Sequence, residues 1–280
     1  MKNKPRTIAI IQARMGATRL PGKVLLDIAG QPMLVRVVER TRRASLLDGL
    51  VVATTTEVQD DPLAELCRKR GYPCFRGDQQ DVLDRFYQAA RVSGAEVIVR
   101  ITADCPVIDP QVIDLTVNEF LKIGADFAAN RLPPPWPRTY PIGMDVEVCT
   151  FAALGRAWKE ADQPFQREHV MPYFYEGIPY DALQSTKSCG LCRAKNVSAI
   201  SPRGFHVLLV NHEPDYGSLR WTVDTAEDLE LLRQVYARFG GRDDFSWLEV
   251  LALFEREPQL GKINAQVQQK SRLEAEKRIK

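Results

Sequence analysis

The chain has 280 residues, of which 45% are hydrophobic and 26% are charged, proportions typical of a soluble globular protein and not of a disordered one. Thirty-eight Lys and Arg oppose 36 Asp and Glu, and this formal net charge of +2 argues against nucleic acid or a membrane surface as a partner. No apolar run approaches the ~20 residues that span a bilayer, and the run Ile8 to Ile11 is too short for a signal peptide core. Six Cys and three His favour reduced thiols in the cytoplasm over a disulfide framework, a zinc hydrolase or a Ser/His/Asp triad.

Apolar runs alternate with helical segments along the first half of the chain. Ile8 to Ile11, Leu50 to Ala53 and Val97 to Ile101 are predicted as buried strands, and Phe127 to Ala129 and Val146 to Val148 as weaker ones. Continuous apolar strands separated by helices are typical of a parallel sheet covered on both faces. The sequence therefore predicts an α/β fold of three layers around a mostly parallel, doubly wound sheet.

A proline-rich segment, Leu132 to Pro137, divides this pattern, because consecutive prolines remove backbone donors and fix φ. The region from about Met144 to Val223 is less regular and mixes α and β signals. Its last residues, Leu219 to Val223, are predicted as a strand that returns to the main sheet.

The chain is predicted to form one domain, residues 1–261. A smaller mixed α+β region, at about 131–218, lies inside this domain. A long amphipathic helix is expected from Thr225 to Phe239. Residues 262–280 are polar and basic, which indicates a frayed or disordered tail.

The loop after the first strand contains Arg14, Arg19 and Lys23 together with Gly16 and Gly22. Glycines let backbone N–H groups approach an anion, and arginine can bind phosphate oxygens bidentately. The Ser or Thr that follows the lysine of a Walker A loop is missing, and the chain has no G-x-G-x-x-G. These residues alone leave two interpretations open, a phosphate-binding loop and a solvated basic turn.

Two carboxylates, Asp104 and Asp224, follow other strands of the predicted sheet. Ligands of a doubly wound sheet bind beyond the carboxyl ends of its strands, and carboxylates there suit a Mg²⁺ ion between protein and phosphate. Each also has a structural interpretation, a capped turn for Asp104 and, for Asp224, the N-cap of the following helix, completed by Glu227. Two carboxylates that face one cationic loop favour the metal.

A second metal pattern, Cys189-x2-Cys192 with His206-x5-His212, fits the loose spacing of a zinc finger. The residues between the two histidines, Val207 to Val210, are predicted as a strand. Six residues along a strand span about 20 Å, so both imidazoles could not reach one ion. A hairpin with reduced cysteines is the simpler interpretation, and zinc is the alternative.

Six segments of the chain are characteristic when taken together: Ile11–Arg14, Thr18–Lys23, Val51–Thr54, Phe75–Gly77, Asp104–Pro106 and Trp221–Asp224. They resemble the cytidylyltransferase family, which includes the CMP-sialate and CMP-KDO synthetases, and most closely the group of the spore coat polysaccharide biosynthesis protein F. The likeness runs from about Thr7 to Phe239. It implies a single nucleotide-diphospho-sugar transferase domain and a Mg²⁺-dependent reaction, in which CTP and an acidic sugar give a CMP-sugar and pyrophosphate for surface polysaccharide synthesis.

The resemblance also implies roles for individual residues. Arg14, Lys23 and Asp104 would be catalytic, and Asp104 and Asp224 would hold Mg²⁺. The nucleotide would be bound by Ala13, Arg14, Gly16, Arg19, Lys23, Arg76 and Thr102, with the last and Arg76 near the cytosine. The candidates for the acceptor pocket are Arg138, Tyr140, Asp145, Glu147 and His169. A homodimer is expected, because related synthetases pair through the part between Met144 and Tyr180. This aromatic segment also has more apolar groups than its irregular pattern of helix and strand signals can easily bury.

Two other functions stay open. A glycosyltransferase or another nucleotidyltransferase on the same fold is one, although the Asp-x-Asp motif of metal-dependent glycosyltransferases is absent and Asp145-x-Glu147 is the nearest match. The other is a nucleotide-binding or zinc-linked assembly protein without catalysis. Release of pyrophosphate, rather than of a nucleoside diphosphate, would distinguish a nucleotidyltransferase from a glycosyltransferase. CTP binding without turnover would indicate a protein without catalysis.

Overall fold

The structure is a computed structural model that describes residues 4–183 and 196–268. Its strands are β1 (Thr7–Gln12), β2 (Asp27–Ile28), β3 (Gln31–Pro32), β4 (Gly49–Thr55), β5 (Cys74–Gly77), β6 (Val97–Thr102), β7 (Phe127–Ala129), β8 (Glu147–Thr150), β9 (Val197–Ile200) and β10 (His206–Leu209). Its α-helices are α1 (Met33–Arg42), α2 (Asp61–Arg70), α3 (Val82–Ser93), α4 (Pro110–Ile123), α5 (Phe151–Glu160), α6 (Pro164–His169), α7 (Pro172–Tyr175), α8 (Ala226–Arg238) and α9 (Trp247–Arg256).

Eight of the strands form one sheet in the order β5-β4-β1-β6-β8-β7-β10-β9. Neighbouring strands are parallel except that β8 runs antiparallel to β6 and β7, and β9 antiparallel to β10. The predicted α/β class with a mostly parallel sheet is confirmed. The smaller mixed α+β region at about 131–218 contributes β8, β10 and the edge strand β9 to this sheet.

The central strand β1 is apolar from Ile8 to Ile11 because both of its faces are covered. Ala9 and Ile11 belong to a core that includes residues of α1, α4, α8 and α9. Ile8 and Ile10 belong to a second core with residues of α3, α5 and α7. Alternate side chains of a strand point to opposite faces, so the two cores lie on opposite sides of the sheet and the fold has three layers.

The prediction of a strand over Leu219 to Val223 is wrong. This segment forms one isolated parallel bridge, between Ile142 and Arg220. The backbone N–H of Trp221 donates to the carbonyl of Ile142 at 2.7 Å, and that of Val223 donates to the carbonyl of Asp104 at 2.8 Å. The segment thus returns to the end of β6 without entering the sheet as a strand.

Part of the aromatic segment that suggested a dimer interface is buried within the chain. Tyr173, Phe174 and Tyr175 belong to the second core, where Phe127 stacks on Phe174 at a ring-centroid distance of 5.1 Å. Trp158 is half-buried, and Tyr180 is exposed. The homodimer stays a prediction.

The alternative interpretation of Asp224 as the N-cap of α8 is wrong. Thr225, not Asp224, is its N-cap, and the side chain of Thr225 accepts from the backbone N–H of Asp228. Asp228, not Glu227, completes the capping box. The carboxylate of Asp224 is thus available for another role.

The first residues of the predicted tail, 262–268, are part of the folded chain. Asn264 is buried, and the guanidinium of Arg19 donates to the carbonyl of Gln268 at 3.1 Å. Cys189 and Cys192 of the zinc alternative lie outside the described residues. In the described ranges, no three His, Cys, Asp or Glu residues are grouped to hold a metal, and no helix is long and apolar enough to cross a membrane.

Candidate active site

Two adjoining cavities lie at the carboxyl ends of the parallel strands. Gln12, the last residue of β1, is in register with Thr102, the last residue of β6, so the loops that follow both strands begin side by side. The first cavity, of about 250 Å³, contains residues of the loop after β1, and the second, of about 170 Å³, lies towards β8. Both are lined by Thr102, Asp104 and Asp224.

The loop after β1 folds back so that Lys23 enters the first cavity. Gly22 has a φ of 70°, a conformation that favours glycine, and a single helical turn begins directly after it at Lys23. The start of the loop is held by Asp60, a fully buried residue whose Oδ1 accepts from the backbone N–H of Met15 at 2.7 Å. Sequence reasoning missed Asp60. Its position near the start of α2 suggests only a helix cap.

The ammonium group of Lys23 joins the two carboxylates. Its Nζ donates to Oδ2 of Asp104 at 3.0 Å, to Oδ1 of Asp224 at 2.9 Å and to the carbonyl of Val223 at 2.6 Å. Lys23 is only 8% exposed. The structure therefore brings together three residues that the sequence separates by up to 201 positions.

The charges of this group stabilise one another. Burial by itself lowers the pKa of Lys23, but Asp104 and Asp224 outweigh burial and hold that pKa above its usual 10.5. Burial by itself raises the pKa of Asp104, but Lys23 outweighs it and keeps that pKa below 3.8. At neutral pH an ammonium group thus lies between two carboxylates.

Asp224 interacts with two further cations through its other oxygen. Oδ2 lies 2.7 Å from a guanidinium nitrogen of Arg19 and 2.9 Å from one of Arg220. Arg19 was predicted for the nucleotide site, whereas sequence reasoning missed Arg220. No motif marks Arg220, since it lies four residues before Asp224 in the segment that was predicted as a strand.

Asp104 is fixed through its backbone, and its carboxylate faces the cavities. The carbonyl of Asp104 accepts from the hydroxyl of Thr222 at 3.0 Å as well as from Val223. The thiol of Cys105 donates to Oδ1 at 3.5 Å, a weak interaction. Within the described ranges the side chain of Asp104 accepts from no backbone N–H, so the capped-turn interpretation does not describe it.

The predicted nucleotide-binding residues separate into two groups. Ala13, Arg14, Arg19, Lys23 and Thr102 line the first cavity. Gly16 and Arg76 do not line either cavity.

Arg76 is engaged elsewhere. Its guanidinium donates to the carbonyl of Thr55 at 2.8 Å and lies 2.7 Å from Asp61 at the start of α2. Arg14 is half-buried at the cavity and has no ion pair among the described residues. Arg14 is thus the loop cation whose charge is available to an anion.

The second cavity is lined by both signs of charge. Arg100 donates to the carboxylate of Glu147, and Arg138 binds both oxygens of Asp145. Arg131 lies 3.4 Å from Asp145. Burial lowers the pKa of Arg131, but the carboxylates of Asp145 and Glu147 outweigh it and raise that pKa.

Of the predicted acceptor residues, Asp145 and Glu147 line the second cavity, and Arg138 is paired with the former. Tyr140 is buried beside Trp247 at a ring-centroid distance of 5.9 Å, and His169 ends α6; neither residue lines these two cavities. Arg100 and Arg131 were missed. A lone Arg inside the apolar strand β6 was the signal for Arg100, whereas nothing in its neighbourhood marks Arg131.

Comparison with known proteins identifies the family. A family model for cytidylyltransferases matches residues 8–238. The chain belongs to the cytidylyltransferase family. It is 33% identical to the spore coat polysaccharide biosynthesis protein SpsF of Bacillus subtilis, over 89% of this chain and 94% of that protein.

Two further cytidylyltransferases are similar over most of their length. A 3-deoxy-manno-octulosonate cytidylyltransferase of Anaeromyxobacter dehalogenans is 39% identical, over 81% of this chain and 96% of that enzyme. A solved cytidylyltransferase from Leptospira borgpetersenii is 30% identical with a TM-score of 0.77, over 91% of this chain and 96% of that one. These likenesses, together with the family match, identify the chain as a nucleotidyltransferase.

Proposed function

We propose that this cytidylyltransferase joins CTP to an acidic sugar in a Mg²⁺-dependent reaction, giving a CMP-sugar and pyrophosphate for surface polysaccharide synthesis. The observation that supports this most is the junction of the two cavities. There, Lys23 lies between Asp104 and Asp224, with the cationic loop on one side and a set of arginines on the other.

The first cavity suits a triphosphate. Arg14 and Lys23 line it and supply positive charge. In nucleotidyl transfer a sugar hydroxyl attacks the α-phosphorus in line and pyrophosphate departs, so the protein acts by positioning the reactants and stabilising charge. The loop cations would compensate the charge that develops on the phosphate oxygens.

The donor set at the junction fits Mg²⁺. This ion is commonly held by one or two carboxylates together with substrate phosphates. Lys23 donates to Oδ2 of Asp104, whereas Oδ1 lies 3.5 Å from the thiol of Cys105. No cation in the described part of the chain donates a hydrogen bond to Oδ1, so this oxygen is the one that would face the ion. Asp104 and Asp224 would hold the ion, and its chemistry is to neutralise phosphate charge and lower the pKa of the attacking hydroxyl.

The second cavity suits an anionic acceptor. The guanidinium groups of Arg100, Arg131 and Arg138 face the carboxylates of Asp145 and Glu147. Arg100 and Arg131 line the cavity itself, together with the carboxylates of Asp104, Asp145, Glu147 and Asp224. Because arginine matches the planar geometry of a carboxylate, Arg100 and Arg131 are the groups that would bind the carboxylate of an acidic sugar.

Pyrophosphate release tests the reaction directly. The chain would be incubated with Mg²⁺, one of CTP, UTP or ATP, and one of a panel that includes 3-deoxy-manno-octulosonate, N-acetylneuraminate and neutral hexoses. We expect pyrophosphate only with CTP and an acidic sugar, and none without the sugar. Equal release from UTP or ATP would contradict the choice of CTP, release of a nucleoside diphosphate would favour a glycosyltransferase, and CTP binding without any product would favour a non-catalytic protein.

The homodimer is a separate proposal that rests on the family resemblance. Light scattering at micromolar concentration would give twice the monomer mass of 31.6 kDa. A single species at the monomer mass would contradict it.

A further inference from the structure

A buried asparagine connects the end of the described chain to the active site. Asn264 follows the last helical turn, outside both cavities, and is only 6% exposed. Its Nδ2 donates to Oδ1 of Asp228 at 2.8 Å and to the carbonyl of Arg220 at 3.1 Å. The amide thus contacts the carboxylate of Asp228 and the main chain of Arg220, two residues that form an ion pair with each other.

The partner of Asn264, Asp228, is fully buried and holds Arg220 in one orientation. Its two oxygens accept from Nε and Nη2 of Arg220, each at 2.9 Å. A bidentate pair of this kind fixes the plane of the guanidinium as well as its distance.

Asp228 and Arg220 together fix the metal-ligand candidate Asp224. Oδ2 of Asp228 accepts from the backbone N–H of Asp224 at 2.9 Å, which fixes its main chain. Nη2 of Arg220 donates to Oδ2 of Asp224 at 2.9 Å, which fixes its side chain. The other oxygen of Asp224, Oδ1, is thereby directed to Lys23 at 2.9 Å.

We propose that Asn264, Asp228 and Arg220 form a positioning chain for Asp224, so that residues 262–268 contribute to the active site without lining it. This inference rests on the proposed metal role of Asp224. Outer residues that orient a metal-binding carboxylate commonly change metal affinity or activity 10–100-fold when they are replaced. None of the three touches the nucleotide cavity, so their effect is expected on the metal and not on CTP itself.

A purely structural role is the alternative. Asp228 also belongs to the capping box of α8, and a cap stabilises the helix without any effect on a ligand. The two roles differ in what they predict for metal affinity in a variant that remains folded. Asn264→Ala keeps every charge and the capping box, and Arg220→Lys keeps the charge but loses the bidentate geometry.

The test measures Mn²⁺ affinity in the presence of CTP, from the paramagnetic resonance signal of the free ion, for the full chain and both variants. We expect Asn264→Ala and Arg220→Lys to bind Mn²⁺ about 10–100-fold more weakly. CTP affinity in EDTA, measured by calorimetry, should stay within about twofold. Two variants at exposed contacts with Glu257 are the matched controls, Gln259→Ala and Arg238→Lys. Both should bind Mn²⁺ as tightly as the unaltered chain does.

Each outcome decides the proposal. Unchanged Mn²⁺ affinity in a folded Asn264→Ala chain would overturn it, and that variant decides alone if Arg220→Lys does not fold. Lack of Mn²⁺ binding by the unaltered chain would overturn the metal role of Asp224 and this proposal with it. If Mn²⁺ affinity falls as expected but no acidic sugar yields pyrophosphate, the positioning chain stands and the proposed sugar substrate fails.

Discussion

Replacing Lys23 by methionine should destabilise the fold as well as the site. Methionine has a similar length but no charge, so the carboxylate of Asp104 would lose the only cation within salt-bridge distance of it in the described chain. Asp224 would keep Arg19 and Arg220. The substitution therefore leaves one largely desolvated carboxylate without a counter-ion.

The size of the loss follows from distance and burial. At 3.0 Å the attraction between unit charges is roughly 5 kcal/mol for an effective dielectric constant of about 20, before the cost of desolvation. Removing one partner of a fully buried pair costs about 3–5 kcal/mol. Because the side chain of Asp104 is 27% exposed, water compensates part of this, and we expect a loss of about 2–3 kcal/mol in the free energy of unfolding at pH 7.

The loss should depend on pH in a defined direction. The pKa of Asp104 is lowered in the folded state, so the stability that this group contributes is present above its unfolded value of about 3.9 and is lost as the pH falls through the folded value. The pKa of Lys23 is raised, so its contribution is present below about 10.5 and is lost only as the pH rises through the folded value. The full difference between the two chains should thus hold near neutral pH. It should shrink towards pH 4.5, where a buried Asp104 without Lys23 can bind a proton.

Urea unfolding at pH 7 and at pH 4.5 measures this difference. Lys122→Met is the matched control, because Lys122 lies 3.7 Å from Glu119 with 69% of its side chain exposed, and exposed pairs contribute only about 0–1 kcal/mol. A loss below about 0.5 kcal/mol for Lys23→Met at both pH values, equal to that of Lys122→Met, would refute the reasoning.

Three further predictions separate structural from functional roles. Asp224→Asn should lower the free energy of unfolding by about 1–3 kcal/mol, because it removes the charge that faces Lys23, Arg19 and Arg220, and it should abolish metal-dependent pyrophosphate release; full turnover would exclude the metal role. Thr225→Ala should lower the free energy of unfolding by about 1 kcal/mol, while CTP affinity in calorimetry stays unchanged; a smaller CTP affinity would show that the cap also shapes the site. Arg14→Ala should leave the urea midpoint nearly unchanged, because the side chain is partly exposed. It should reduce kcat/KM by the equivalent of roughly 2–4 kcal/mol. Activity within a factor of a few of that of the unaltered chain would show that Arg14 does not bind the triphosphate.

The fold was predictable where the sequence has a local or periodic cause. The apolar runs of β1, β4 and β6 predict strands buried on both faces, and the structure contains them at Thr7–Gln12, Gly49–Thr55 and Val97–Thr102. The segment Leu219 to Val223 was predicted as a strand as well. It forms one bridge because its backbone groups bind Ile142 and Asp104, a long-range choice that local pattern does not contain.

The site was predictable in part because the carboxyl ends of parallel strands meet at one edge. That rule places Asp104 near the loop after β1, as the structure shows. It does not distinguish a cap from a ligand at Asp224, since Asp, Thr and Ser all cap helices. The distinction depends on which residue takes the capping geometry, and the structure gives that position to Thr225.

By itself, then, the sequence determined the α/β class, the phosphate-loop candidate and the family motifs, because strand periodicity, glycine position and short motifs are local properties of the chain. Only the tertiary structure decided the charge network. The sequence left open a solvated basic turn for the loop of Lys23, yet this side chain is buried, 8% exposed, between two carboxylates. Asn264, in a segment with the composition of a tail, contacts the ion pair that fixes Asp224. The strength of an ion pair depends on distance and solvent exposure, and both are set by contacts between residues that are far apart in the sequence.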